Sequence, residues 1–111
     1  MKLWIDDVRP APDGYKWCNS VNETKEYILN MERLFAYHFR RGELKEEYLI
    51  TLIDIDHDAG DYAKDGGDYI NLLNWFEETG RNYPIHIHSA NPVGIANMRR
   101  IIKRNGWKEI I

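Results

Sequence analysis

Two histidines directly follow two short apolar segments, and their positions suggest acid–base chemistry. His57 lies in the segment Asp56-His57-Asp58, after the apolar run 48–55, and His88 follows the apolar run 83–87. Histidine changes its charge near neutral pH, and two histidines can share the base and acid roles in phosphoester cleavage. We therefore predict that His57 and His88 act as a pair, one removing a proton from water and the other protonating the leaving oxygen.

Other polar residues are predicted to lie at the same edge, because ligands of open α/β sheets bind beyond the carboxyl ends of the strands. Asp56 and Asp58 are further candidate catalytic residues, since a carboxylate can fix the tautomer of a histidine. Arginine can clamp phosphate oxygens, and a helix start binds anions through free N–H groups. The candidate phosphate-binding residues are Arg9, Ser89, Asn91 and Gly94.

Three carboxylates form a candidate metal site. Asp6, Asp7 and Asp56 offer the oxygen ligands that Mg²⁺ prefers. Two histidines already suffice for the proton transfers, so no cofactor is required and we favour the metal-free version.

Several of these residues also have a structural interpretation. A lone histidine at a strand end is more often a surface or structural residue. His86 is interpreted as packed or hydrogen-bonded, and His38 as a structural helix residue. Asp54 shares the strand period with Asp56, so it either points to the same edge or is buried and paired, and the sequence leaves both open.

The elements that must position these residues alternate between strand and helix patterns. The predicted strands are Lys2–Ile5, Tyr15–Cys18, Leu49–Ile55, Ile85–His88 and Trp107–Ile111. Helices are predicted after a capping box at Ser20, around residues 69–79, and after Asn91-Pro92, with glycines near their ends. This alternation predicts one α/β domain over residues 1–111, flavodoxin-like and three-layered, with a mainly parallel five-stranded sheet of order 2-1-3-4-5. The first crossover is too short for a full helix and is predicted to be a loop.

Composition and charge exclude several classes of protein. The fractions of hydrophobic residues (43%) and charged residues (30%) are ordinary for a globular protein. A formal net charge of −3 argues against broad nucleic-acid binding, but not against a nucleotide or an RNA end in a small pocket. Cys18 is the only cysteine, so we expect no internal disulfide and a cytoplasmic location. We expect neither a membrane span nor a signal peptide, and the oligomeric state stays open.

Three segments resemble a known family and occur in its order. They are Leu3-Trp4-Ile5-Asp6-Asp7-Val8-Arg9-Pro10, Ile55-Asp56-His57-Asp58, and His88-Ser89-Ala90-Asn91-Pro92-Val93-Gly94 followed by Met98. Together they resemble the cyclic-phosphate processing receiver-like domain, a divergent relative of the response-regulator receiver domain, over almost the whole chain. The resemblance implies a flavodoxin-like fold and processing of cyclic phosphates through the histidines. The chain departs from the family at Ala59-Gly60-Asp61, where a Leu-Gly pair is usual, and at the extra acid Asp54.

The leading prediction is a phosphodiesterase-like enzyme that opens a cyclic phosphate on a nucleotide or an RNA end. The receiver resemblance supplies a rival, phospho-signalling, in which Asp6, Asp7 and Asp56 hold magnesium and Asp56 accepts a phosphoryl group. Receivers have a Lys after the last strand, whereas no Lys follows the predicted strand 107–111. A histidine directly after the acceptor, as at His57, is also foreign to their pattern. A third alternative is a non-catalytic nucleotide- or partner-binding module with the same pocket.

Overall fold

The computed structural model describes residues 1–111 and contains a parallel sheet and three α-helices. The strands are β1 (Lys2–Ile5), β2 (Tyr15–Cys18), β3 (Leu52–Ile55) and β4 (Ile85–Ile87). The helices are α1 (Val21–Arg40), α2 (Ile70–Thr79) and α3 (Pro92–Asn105), and 3₁₀ turns occupy Glu46–Tyr48 and Gly60–Lys64. The strand order is β2-β1-β3-β4 and every neighbouring pair is parallel, as predicted for the first four strands. None of the helices is both long enough and apolar enough to cross a bilayer.

The predicted starts of α1 and α3 are confirmed by their side-chain caps. The hydroxyl oxygen of Ser20 accepts a hydrogen bond from the N–H of Glu23 (3.0 Å), so α1 begins at Val21. The Oδ1 atom of Asn91 accepts from the N–H of Gly94 (3.0 Å), and proline stands at the first helical position of α3. As predicted, residues 6–14 link β1 to β2 without a helix.

The predicted fifth strand is reduced to a single β-bridge. Glu109 bridges Ile85 in parallel fashion, and Ile85 exchanges hydrogen bonds with Lys108 O (3.0 Å) and the N–H of Ile110 (2.7 Å). The segment therefore lies beside β4, where strand 5 was expected. β4 has three residues, and the N–H and C=O groups of successive strand residues point to alternate sides. Only Ile85 and Ile87 therefore present backbone groups to the C-terminal segment, and the segment contacts Ile85 alone of these two.

All three helices pack on one face of the sheet, so the prediction of three layers is wrong and the described chain forms two. One cluster of 19 buried hydrophobic residues combines side chains of all three helices with alternate strand residues, among them Leu3, Ile53 and Ile85. Right-handed crossovers that advance in the same direction, from β2 to β3 and from β3 to β4, place their helices on the same face. Only the link from β1 to β2 runs the other way, and it holds no helix.

The second face of the sheet carries aromatic and polar side chains. The strand register aligns Trp4, Trp17, Asp54 and His86 in one row across the four strands, and none of them belongs to the buried cluster. Each of these residues is the last but one of its strand, so the row lies beside the carboxyl edge of the sheet.

Candidate active site at the carboxyl edge of the sheet

Asp6 is a fully buried carboxylate held by two backbone N–H groups, by His88 and by the charge of Arg9. Its Oδ1 accepts from the backbone N–H groups of Val8 (3.0 Å) and Arg9 (2.9 Å). Its Oδ2 lies 3.2 Å from Arg9 Nε and 2.9 Å from His88 Nε2. Burial acts to raise the pKa of Asp6, but the bonds from Arg9, Val8 and His88 outweigh it and hold the pKa below its usual value. Asp6 is therefore an ionised anchor for the loop after β1.

His88 lies between two carboxylates. Its Nδ1 is 2.6 Å from Asp54 Oδ1 and its Nε2 is 2.9 Å from Asp6 Oδ2. The ring stacks on Trp4 with 3.7 Å between centroids, and the side chain is 9% exposed. Each ring nitrogen of His88 therefore has a carboxylate partner. Neither nitrogen is free for a substrate unless one of these bonds breaks.

Asp54 is buried and paired, which decides between the two interpretations of this residue. Its Oδ1 also accepts from His86 Nδ1 (2.8 Å). Burial acts to raise the pKa of Asp54, but the bonds from His88 and His86 lower it. His86 is hydrogen-bonded, as interpreted from the sequence, and its Nε2 has no protein partner.

Asp54 and His86 were nevertheless missing from the predicted site. A signal for them is present in the sequence, because Asp54-x-Asp56 and His86-x-His88 both have strand spacing. Residues two apart in one strand point to the same face of a sheet, and these two strands are neighbours. The four side chains therefore lie on the same face and close to one another.

His57 has different surroundings from His88. Its Nδ1 is 2.9 Å from Asp58 Oδ1, and its Nε2 has no protein partner. The bond to His57, with that from Asn91, outweighs desolvation and lowers the pKa of Asp58. The ring packs so closely on α3 that a Cβ on Gly94 would lie 2.4 Å from His57 Cγ. When Asp58 accepts a hydrogen bond from the Nδ1–H group of neutral His57, Nε2 carries the lone pair that a general base needs.

Arg9 and Asp56 connect the two histidines without bringing them into contact. One Arg9 nitrogen, Nη2, lies 3.3 Å from Asp56 Oδ2 and 3.3 Å from the carbonyl oxygen of His88. Asp56 Oδ1 accepts from the backbone N–H of His57 (2.8 Å). The Arg9 side chain is 51% exposed, so the guanidinium remains reachable from solvent. The histidines thus belong to one connected group but share no hydrogen bond.

The predicted phosphate-binding residues of the third segment do come together at the start of α3. Ser89 Oγ accepts from the N–H of Asn91 (3.1 Å), and Asn91 caps Gly94. Because proline has no N–H, this cap leaves Val93 as the free backbone donor of the first turn. The Ser89 hydroxyl hydrogen also remains available, so the helix start offers fewer donors to an anion than the sequence predicted.

Asp6, Asp7 and Asp56 form the group with the chemistry of a magnesium site. One carboxylate oxygen of each lies within 4.8 Å of the others. The pKa of Asp7 is raised, first by burial and then by the neighbouring carboxylates of Asp6 and Asp56. Arg9 therefore does not fully balance this negative charge. Three carboxylates suit a hard divalent cation, which would compete with the hydrogen bonds that Asp6 and Asp56 accept.

A second acidic group surrounds His57 but is already committed to hydrogen bonds. His57, Asp58 and Asp68 also place ligand atoms within 4.8 Å of one another. However, Asp68 Oδ1 accepts from the N–H of Ala59 (3.0 Å), and Asp58 occupies Nδ1 of His57. We assign these residues to the positioning of the loop and of the histidine ring.

A parallel sheet of order β2-β1-β3-β4 with three carboxylates at its carboxyl edge defines a receiver-like α/β protein. The family described as the cyclic-phosphate processing receiver domain matches residues 1–104, and the chain belongs to that family. The resemblance noted in the sequence is thereby confirmed, and the match spans every candidate site residue. No curated protein and no solved structure matches the chain.

Proposed function

We propose that the carboxyl edge of the sheet binds a cyclic phosphodiester, on a nucleotide or an RNA end, and opens it by hydrolysis. Membership of the cyclic-phosphate processing family supports the substrate class. The observation that carries the reaction is the His57–Asp58 pair, which orients the ring through Nδ1 and leaves Nε2 without a protein partner.

In this proposal His57 Nε2 acts as the base. A water oxygen attacks phosphorus while Nε2 takes the water proton, and one ring P–O bond breaks. The leaving oxygen takes up a proton from solvent, and the protonated His57 afterwards returns its proton to solvent. The product is a phosphomonoester beside a free hydroxyl group. Arg9, the Ser89 hydroxyl and the Val93 N–H are the nearby donors suited to the phosphate oxygens. Magnesium bound by the three carboxylates would supply further charge stabilisation.

His88 acts as a positioning residue in the same proposal. Both of its nitrogens hold carboxylates, so it fixes Asp6, which in turn fixes the loop that carries Arg9. This division of roles differs from the symmetric pair expected from the sequence, because of His57 and His88 only His57 has a ring nitrogen without a protein partner.

Phosphorus NMR on a panel of cyclic phosphates, with and without Mg²⁺, tests the proposal. We expect turnover of at least one compound, and a loss of about 10²–10⁴-fold in His57→Ala, the usual contribution of a general base. His38→Ala is the matched control, because His38 lies on α1 and contacts Glu43 instead of the site. Wild-type turnover in His57→Ala contradicts the assignment, and no turnover of any compound favours the binding module.

A further inference from the structure

The core-facing side of α1 continues beyond the point where the hydrophobic core ends. The helix buries residues only as far as its middle, at Val21, Thr24, Ile28 and Met31. At about 100° per residue, Phe35 and Phe39 follow these residues along the same side of the helix. Neither phenylalanine packs against the core cluster, and Phe39 is 62% exposed. The last turns of α1 therefore present to solvent an apolar stripe of the kind that helices normally bury.

This stripe joins a small apolar hollow at the amino edge of the sheet. Phe39 stacks on Phe35, with 6.0 Å between the ring centroids. Phe35 in turn lines the hollow, which has a volume of about 110 Å³, together with Tyr48, Leu49 and Tyr83. Leu49 and Tyr83 come shortly before β3 and β4 in the chain, so the hollow lies at the edge opposite the candidate active site. We call these five residues the α1 patch.

Exposed charges of opposite sign border the α1 patch. Arg40 ends α1, while Glu46 and Glu47 begin the 3₁₀ turn that leads to the other side of the hollow. None of the three forms an ion pair, whereas Glu43 between them is engaged by Lys45 (3.7 Å). A two-fold axis that passes between the basic and the acidic side brings Arg40 of each molecule to the glutamates of the other, because a two-fold contact joins the same surface twice. The charges of the patch are therefore complementary to a second copy of the patch.

The exposed area of the patch matches a weak interface. An aromatic side chain has roughly 200 Å² of surface, so Phe39 alone exposes about 120 Å². Leu49 adds a side chain that is 42% exposed, and Phe35 and Tyr48 are half-buried. Interfaces have an apolar centre and a polar rim, and weak ones bury less than about 1,200 Å² in total. A dimer built on this patch therefore has the composition of such an interface and should dissociate at low concentration.

We propose that the α1 patch binds the α1 patch of a second copy of this chain, in a two-fold symmetric dimer. Phe39 of each molecule packs over the hollow of the other, and Arg40 pairs with Glu46 or Glu47 across the interface. Burial removes the apolar stripe from water, which is the main driving force of association. The dimer leaves both carboxyl edges free, because the patch lies at the opposite edge of the sheet. The inference therefore does not depend on the proposed function.

Sedimentation equilibrium of the full chain tests the dimer. We expect a monomer–dimer equilibrium with a Kd between about 1 μM and 1 mM. Phe39→Asp should raise this Kd by at least about tenfold, a usual effect of removing an aromatic anchor. Tyr37→Asp is the matched control, because Tyr37 is an aromatic residue that is 50% exposed on the opposite side of the same helix. This control should leave the Kd unchanged.

Charge reversal tests the two-fold arrangement. Arg40→Glu makes both sides of the patch acidic, and Glu46→Lys/Glu47→Lys makes both sides basic. Each variant alone should dimerise more weakly than the wild type, because like charges then meet across the axis. An equimolar mixture of the two variants should form a mixed dimer, because opposite charges meet again. All the substituted side chains are exposed, so each variant is expected to keep the fold.

Three results would overturn the proposal. A single-chain mass at about 1 mM would leave the patch to a different protein. A dimer that Phe39→Asp and Tyr37→Asp weaken equally, or that neither weakens, would lie elsewhere on the surface. A mixture of the charge variants that dimerises no better than either variant alone would exclude the two-fold pairing. Turnover of cyclic phosphates should be unchanged in Phe39→Asp, so none of these results bears on the proposed function.

Discussion

Replacing Gly94 by alanine tests whether the contact between α3 and His57 positions the imidazole ring that we propose as the base. The new Cβ would lie 2.4 Å from His57 Cγ, 2.6 Å from Cδ2 and 2.8 Å from Nδ1. Carbon atoms pack at about 3.5–4.0 Å, so the ring must retreat by roughly 1 Å. That movement pulls Nδ1 away from Asp58 and displaces Nε2 from the attacking water.

The expected size of the effect follows from this displacement. A misplacement of about 1 Å costs about 10²-fold in rate, so turnover of the cyclic phosphate should fall by about that factor. For stability, overpacking costs about 1–3 kcal/mol, whereas alanine in a helix is about 1 kcal/mol better than glycine. We therefore expect the free energy of unfolding of Gly94→Ala to change by at most about 2 kcal/mol, too little to remove activity by unfolding.

A double-mutant cycle supplies the control. In a His57→Ala background the clash partner is gone, so Gly94→Ala should stabilise the fold by up to about 1 kcal/mol. Turnover is followed by phosphorus NMR, stability by urea unfolding, and the ring by its nitrogen chemical shifts. Equal effects of Gly94→Ala in both backgrounds, with wild-type turnover and unchanged shifts, would refute the packing argument.

Three further expectations concern the carboxylates. Despite burial, hydrogen bonds lower the pKa of Asp6 and Asp54 in the folded protein, so the unfolded chain binds more protons in acid. The free energy of unfolding, measured with urea, should therefore fall from about pH 5 to pH 2, and it should fall less steeply in Asp54→Asn. Mg²⁺ should raise the Tm of the wild type but not of Asp7→Asn, and identical Tm curves would contradict a metal site there. Asp56 should gain no phosphoryl mass from acetyl phosphate and Mg²⁺, because Arg9 already contacts its Oδ2; a stoichiometric gain that is absent in Asp56→Ala would establish phospho-signalling instead.

The strands, the helix caps and the edge of the sheet that carries the site could be predicted from the sequence because they depend on local patterns. Ser20 and Asn91 cap the helices that follow them, and apolar runs end where Asp6, Asp56 and His88 begin. These signals are local in sequence and do not depend on tertiary contacts.

The roles of individual side chains depend on partners that are distant in sequence, and these were not predictable. His57 and His88 look equivalent at their strand ends, but Asp6 and Asp54 occupy both nitrogens of His88 alone. Similarly, the three-layer expectation came from the fold class. The number of layers is set by which connections contain helices, and the link from β1 to β2 contains none.

The position of β2 at the outer edge of the sheet affects how the protein behaves at high concentration. An edge strand with free backbone groups can recruit a strand from another molecule and begin aggregation. β2 has only four residues, and Lys16 lies on the same side as Leu3, with its Nζ 5.2 Å from the centre of the Tyr27 ring. A lysine on a short edge strand disfavours such pairing. At the opposite edge, Ile85 is already engaged by the bridge to Glu109. The sheet therefore offers little free backbone from which a fibril could grow.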